Sequence, residues 1–279
     1  MGLAGLFTII RPANAVVAGL AAIVAYLIAT GTLVYGVILL MAVVILITAA
    51  GNVINDYYDA AIDAINRPGR PIPSGTVSRD AALVYAGVLF FLGILFAGFT
   101  SPLCLAIAMF NAILLVFYAA RLKSTPFFGN VTVSYLAASI FLFGSALAGG
   151  NRVLVMLPLV AITFLAMLSR ELLKDAEDID GDHAGGADTL PIRIGVRKTA
   201  LIAFVFAVAA VATSMLPYFW WGAWYLFGIA LVDIIIIIAA GKALGCTDPA
   251  GVKAAGSTSL LKAGMFASLV IFTLSAVLL

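Results

Sequence analysis

Two stretches of this sequence place oxygen-bearing side chains at helical spacing. Asn52, Asp56, Asp59 and Asp63 follow one another by four, three and four residues, and Glu171, Asp175, Asp178 and Asp182 repeat the same steps. At 3.6 residues per turn such positions share one helix face, so each set would project its oxygens toward one place. Carboxylates this close repel, by about 0.2–0.5 kcal/mol per i,i+4 pair on an exposed helix and by more where water is scarce. A cation is therefore expected between them. Mg²⁺ suits the donors, because it takes hard oxygen ligands, uses one or two protein carboxylates per ion, keeps waters and bridges to substrate phosphates. Zinc and softer metals lack ligands here, since His183 is the only histidine and Cys104 and Cys246 are the only cysteines. The economical reading is a metal–diphosphate site. The competing reading pairs some of these acids with Arg67, Arg70 and Lys174. It is preferred for Asp180 and Asp188, which lie off the spacing.

The segments just C-terminal to each set also suit phosphate. Asn66-Arg67-Pro68-Gly69-Arg70-Pro71-Ile72-Pro73-Ser74-Gly75 is a proline-stiffened turn that keeps two guanidinium forks close to the first acids. Arg67 and Arg70 can grip phosphate bidentately. His183-Ala-Gly-Gly-Ala-Asp188-Thr189-Leu190-Pro191 is a glycine stretch that could close over a ligand. Arg121 and Lys123, just beyond Tyr118, offer charge to a diphosphate leaving group, or serve only to set topology.

These residues must be positioned by membrane helices. Of 279 residues, 64% are hydrophobic and 10% charged, with a mean hydropathy of +1.19, which excludes a water-soluble globule. Apolar runs at about 12–30, 33–57, 80–99, 102–120, 130–149, 152–172, 198–217, 222–243 and 259–279 predict nine transmembrane helices. Their length and lack of alternation exclude barrel strands, leaving an all-α polytopic bundle. The first run is read as a mature helix, not a removable signal. A net charge of +2 with clustered basic residues argues against nucleic acid as a partner. Short and long loops alternate, so the N-terminus and the four long loops share one face. That face carries every Lys and Arg except Arg152, and every Asp and Glu except Asp233. The positive-inside rule makes it cytoplasmic, in the cell membrane. One domain is expected over 1–279, with aspartate-rich loops at about 52–78 and 171–197.

The two acidic sets resemble the paired aspartate-rich motifs of the UbiA-type intramembrane prenyltransferases. Asn55-Asp56-x-x-Asp59-x-x-x-Asp63 matches the first motif, and Asp178-x-x-x-Asp182, within Lys174-Asp175-x-Glu177-Asp178-x-x-Gly181-Asp182, matches the second. The likeness extends to Arg11-Pro12-x-Asn14, the Asn66–Gly75 run, Tyr118 with Lys123, Gly129-Asn130 and Thr189-Leu190-Pro191. It implies a nine-helix bundle around a central cavity and an isoprenyl diphosphate donor, with Mg²⁺ clasped jointly by both regions. Carried over, Asn52, Asp56, Asp59, Asp63, Asp175, Asp178 and Asp182 would be the metal ligands. Asp56, Asp59, Asp178 and Lys123 would be catalytic, while Asn14, Asn52, Arg67, Arg70, Tyr118, Arg121 and Lys174 would bind substrate. Arg121 beside Lys123 leaves open which of the two contacts the diphosphate.

The Asn66–Gly75 and Lys174–Asp182 runs most resemble the archaeal lipid members of that family. Those members transfer geranylgeranyl from geranylgeranyl diphosphate to the hydroxyl of geranylgeranylglyceryl phosphate, while others prenylate aromatic acceptors such as 4-hydroxybenzoate. Tyr57, Tyr58 and Tyr118 are candidates near the mouth, although aromatics in bundles mostly pack. Asn14 is expected at the cavity, Asn111 in a functional or interhelical role, and Asp233 in a structural one. A cation-coupled transporter fits less well, because its ionisable groups belong at the bilayer midplane. A CDP-alcohol phosphotransferase would carry its acids in a single stretch.

Overall fold

The computed structural model describes residues 2–279, leaving out the side chains of Asn66 and Ala184. Nine helices among the described residues are long and apolar enough to cross a membrane. They are α2 (Pro12–Thr30), α3 (Gly36–Asn66), α4 (Arg79–Ala97), α5 (Pro102–Ala120), α6 (Phe128–Ala148), α7 (Gly150–Glu177), α10 (Val196–Ser214), α11 (Tyr218–Lys242) and α13 (Ser257–Leu278). The expected all-helical membrane fold with nine spans is therefore observed. Four short helices accompany them: α1 (Leu3–Ile9) ahead of the first span, and α8 (Ile179–Ala184), α9 (Leu190–Ile194) and α12 (Pro249–Ala255) between later ones. Each is too short to leave a hydropathy signal of its own.

Two helices run past their apolar segments, and both carry site residues on the extension. α3 continues beyond residue 57 to Asn66 and has 31 residues, roughly 46 Å at ~1.5 Å per residue, against a hydrocarbon layer of about 30 Å. It stops where Arg67 leaves helical geometry (φ −146°, ψ 61°) ahead of Pro68, whose ring disfavours the α region for the residue before it. The whole first acidic set thus lies on one uninterrupted helix. α7 likewise passes residue 172 and ends at Glu177. Asp178 then departs from helical geometry (φ −104°, ψ 11°) and caps α8. The second set is therefore split between two helices and their junction, which corrects the expectation of a single face. The amide of Asp178 still donates to the Lys174 carbonyl at 3.1 Å and that of Asp182 to the Asp178 carbonyl at 2.9 Å, so the turn is kept without the continuous axis. α11 also differs from expectation. It starts at Tyr218, and Gly222 breaks it with φ 66° and ψ −157°, a region open to glycine alone at low cost.

The chain divides into two compact units, one through residue 122 with Phe143–Arg152, the other Lys123–Leu142 with Val153–Leu279. In the first, α3 packs against α2, α4 and α5. Small residues permit the approach, as membrane helices lack a hydrophobic drive toward one another and associate through close contact. A Cβ on Gly144 would stand 2.7 Å from both the Ala25 Cβ and the Tyr26 backbone nitrogen. In the second unit, α11 packs on α13 and α10. Asp233, buried on α11, accepts from the Ser214 hydroxyl at 2.7 Å, and the Tyr225 hydroxyl donates to the Ser214 carbonyl at 2.8 Å. Asp233 Oδ2 and the Tyr225 hydroxyl thus tie α11 to the end of α10, the structural role expected of Asp233.

Candidate active site

In the first unit the site is built on the polar end of α3. Asp56 and Asp63 are 4% and 6% exposed. Arg70 bridges them, its Nη1 lying 2.5 Å from Asp63 Oδ2 and 3.3 Å from Asp56 Oδ1. The turn after α3 holds Arg70 in place. The Pro71 carbonyl accepts from the Val77 amide and the Thr76 hydroxyl, each at 3.0 Å, and the Arg70 carbonyl accepts from the Ser74 amide at 2.9 Å. Gly75, at φ 75°, lets the chain reverse there.

A second guanidinium reaches the same carboxylate. Arg11 Nη2 lies 2.5 Å from Asp56 Oδ1. Arg11 sits between α1 and α2 in the left-handed region (φ 50°, ψ 66°), which non-glycine residues seldom adopt. Asn52 holds it there by donating its side-chain amide to the Ile10 carbonyl at 2.9 Å. Asn52 therefore has a task that its assignment as a metal ligand did not foresee. It fixes the backbone next to Arg11, with only its Oδ1 left for a ligand. Asn55 donates to Asp59 Oδ2 at 2.9 Å. Thr8, Arg11, Asp56, Arg67, Gly69, Arg70 and Pro71 line an open cavity of about 350 Å³. Arg67 is exposed at its rim, and Asn14 stands exposed in the first turn of α2. The Asn66 side chain lies outside the described residues. Tyr118 occupies the last turn of α5, with Arg121 exposed at that helix's end. Tyr57 is committed to packing: its ring meets Tyr58 edge-on at 5.2 Å and lies under the Arg79 guanidinium at 4.6 Å.

In the second unit, the Asp175 Oδ2 accepts from the Asn130 side-chain amide at 2.7 Å. Asn130, 6% exposed, lies in the first turn of α6. Glu171 is paired with Arg170, its neighbour in sequence. Lys174 and Asp178 are exposed and Asp182 half-buried. Burial and the Asp178 carboxylate together hold the Asp182 carboxyl above the usual range. Lys123 lies half-buried in the turn Leu122–Ser124, and the Ser124 carbonyl accepts from the Asp188 amide at 3.1 Å, tying the glycine stretch to that turn. Asp188 forms an ion pair with Arg193, whose Nε lies 2.9 Å and 3.0 Å from its two oxygens. That partner holds the Asp188 carboxyl below its usual range, so Asp188 is a salt-bridge residue, as its place off the spacing suggested.

Arg11 and Asn130 were given no role by sequence reasoning, although both belong to the family-like motifs. Each meets its aspartate across 45 residues, a distance no local spacing rule spans. No group of three or more His, Cys, Asp or Glu among the described residues is arranged to hold a metal by itself. The donors nevertheless fit Mg²⁺, which asks for one or two carboxylates and completes its shell with waters and phosphate oxygens. The Asp178 charge, which adds to burial in raising Asp182, is of the kind a divalent cation offsets.

The sequence model described as the UbiA prenyltransferase family matches residues 16–274. The chain belongs to that family. A curated relative from Methanoregula boonei, named digeranylgeranylglyceryl phosphate synthase, is 72% identical over 279 residues, covering 100% of both chains. A solved structure described as digeranylgeranylglyceryl phosphate synthase in membranes matches with a TM-score of 0.89 at 34% identity, over 99% of each chain. A UbiA homologue from Archaeoglobus fulgidus bound to GPP and Mg²⁺ matches with a TM-score of 0.69 at 17% identity, over 95% of this chain and 99% of that one. At that identity the likeness is one of fold. As a member of the family the chain is a membrane prenyltransferase.

Proposed function

We propose that this enzyme transfers a geranylgeranyl group from geranylgeranyl diphosphate to the free hydroxyl of geranylgeranylglyceryl phosphate, with Mg²⁺, in archaeal membrane lipid synthesis. The observation that carries the reading is the arginine-lined cavity at Asp56, where Arg11, Arg67 and Arg70 supply more positive charge than the two buried carboxylates consume. Such a surplus suits phosphate on both substrates. The Methanoregula boonei relative's name and end-to-end identity support the same acceptor, and the Mg²⁺ and GPP in the Archaeoglobus fulgidus homologue support the cofactor and donor class.

Asp56, Asp59 and Asp63 on α3, with the Asn52 Oδ1 as a further donor, would hold Mg²⁺ in the first unit, and Asp175, Asp178 and Asp182 at the α7–α8 junction would hold it in the second, each set offering the metal-borne charge that a diphosphate binds. The ion supplies charge neutralisation that makes diphosphate a better leaving group. The remaining steps belong to the side chains. Arg67, Arg70 and Lys123 take up charge developing on the departing oxygens, which fixed cations do most effectively where water is sparse. Arg121, Lys174, Tyr118 and Asn14 orient donor or acceptor. The apolar spans house the polyprenyl tails and keep water from the allylic cation. The family match runs through both compact units, in keeping with one catalytic domain over 1–279. The distribution of Lys and Arg supports a cytoplasmic side for its aspartate-rich loops and N-terminus, in the cell membrane.

The test is an acceptor comparison with labelled geranylgeranyl diphosphate. Lipid product is expected with geranylgeranylglyceryl phosphate and Mg²⁺, and none in EDTA. Product with 4-hydroxybenzoate alone, or turnover indifferent to EDTA, would overturn the reading.

A further inference from the structure

Asp56 is offered to a metal by its position, yet it is already neutralised. Arg11 and Arg70 both contact its Oδ1, and its side chain is 5% exposed. A carboxylate held this way presents a divalent cation with a competitor covalently fixed at high local concentration. Arg70 has a second carboxylate in Asp63 and would remain beside α3 if it released Asp56. Arg11 has no other ion pair among the described residues. It is brought to Asp56 by a left-handed backbone and by the Asn52 clamp on Ile10, so it is built for this one contact. Its side chain is 33% exposed and lines the cavity that Arg67, Gly69 and Thr8 also line. A guanidinium so placed can exchange a carboxylate oxygen for a phosphate oxygen without leaving the cavity, since phosphate is matched to the same fork.

We propose that Arg11 is an internal counter-cation that blocks Asp56 until a phosphate anion enters the cavity and draws the guanidinium away. Anion and divalent cation then bind with positive coupling: each is taken up better when the other is present, by the same factor in both directions. An enzyme wired this way does not fill its aspartates with bare ions and wait. Asn52 acts through Arg11 as a positioning residue. The inference rests on the metal-dependent reading above and adds to it an order of loading and a role for Arg11.

The test needs no turnover. The detergent-purified full chain is titrated with Mn²⁺, followed by electron paramagnetic resonance, with and without inorganic phosphate, which itself binds Mn²⁺ only weakly. Wild type is expected to bind Mn²⁺ poorly alone and about tenfold more tightly with phosphate, a coupling of about 1.4 kcal/mol. Arg11→Gln should bind Mn²⁺ more tightly than wild type in the absence of phosphate and lose the phosphate effect. Arg11→Lys, which keeps the charge, should restore part of the block. A merely structural role for Arg11 would weaken Mn²⁺ binding in Arg11→Gln or leave it unchanged, and either result overturns the proposal while sparing the metal-dependent reading. Failure of wild type to bind Mn²⁺ under any condition would overturn both.

Discussion

Replacing Asp56 with Asn is expected to lower turnover by about 10²–10³-fold, the usual cost of deleting one group that stabilises charge in the transition state. The change keeps volume and removes one negative charge. Arg11 and Arg70 lose a counter-ion, but Arg70 retains Asp63 and Arg11 is partly solvated, so the folded protein should persist. Asp178→Asn should lose activity to a similar extent for a different structural reason. Asp178 is exposed at the α7–α8 junction, and its charge works against Asp182. Removing it relieves repulsion, so thermal stability should hold or rise slightly. Turnover from labelled product, with unfolding followed in the same detergent, checks both variants. Full activity in either would remove that aspartate from the catalytic machinery.

Arg70→Ala is expected to be the most destabilising change at the site. Arg70 is the sole ion-pair partner of Asp63 among the described residues and one of two for Asp56, and all three side chains are at least four-fifths buried. Stripping the partner from a buried charge costs about 3–5 kcal/mol when burial is complete. The 19% exposure of Arg70 and the retained Arg11 contact bring the expected cost below that range, to about 2–3 kcal/mol. Arg70→Lys should recover part of this, because an ammonium can satisfy one carboxylate but lacks the fork that reaches both. The double variant Arg70→Ala with Asp63→Asn should be more stable than Arg70→Ala alone, since the stranded charge is gone. Denaturation of wild type, Arg70→Ala, Asp63→Asn and the double variant measures the coupling. Additive effects would show that the Arg70–Asp63 contact contributes nothing.

The spans were legible because bilayer thickness writes itself into sequence as apolar length, and α3 was legible as a comb because nothing interrupts helical geometry before Arg67-Pro68. The second comb was only half legible. Its spacing is the same, yet Asp178 falls where α7 ends, and nothing in the letters Glu177-Asp178-Ile179 marks a break as Pro68 does. Pairings across the bundle were not legible at all. Arg11 finds Asp56, and Asn130 finds Asp175, through helix packing and, for Arg11, through a left-handed residue that sequence rules assign to glycine. Asn52 illustrates the same gap: its spacing with Asp56 gave no sign that its amide hydrogen-bonds to a backbone carbonyl between α1 and α2.

Equilibrium binding of labelled geranylgeranyl diphosphate to the purified chain, measured across a Mg²⁺ titration, goes to the centre of the matter. Binding should rise with Mg²⁺, vanish in EDTA and fail to respond to Mg²⁺ in Asp56→Asn. Binding of equal strength in EDTA, or a Mg²⁺ response intact in that variant, would contradict a site in which aspartates hold the diphosphate through metal.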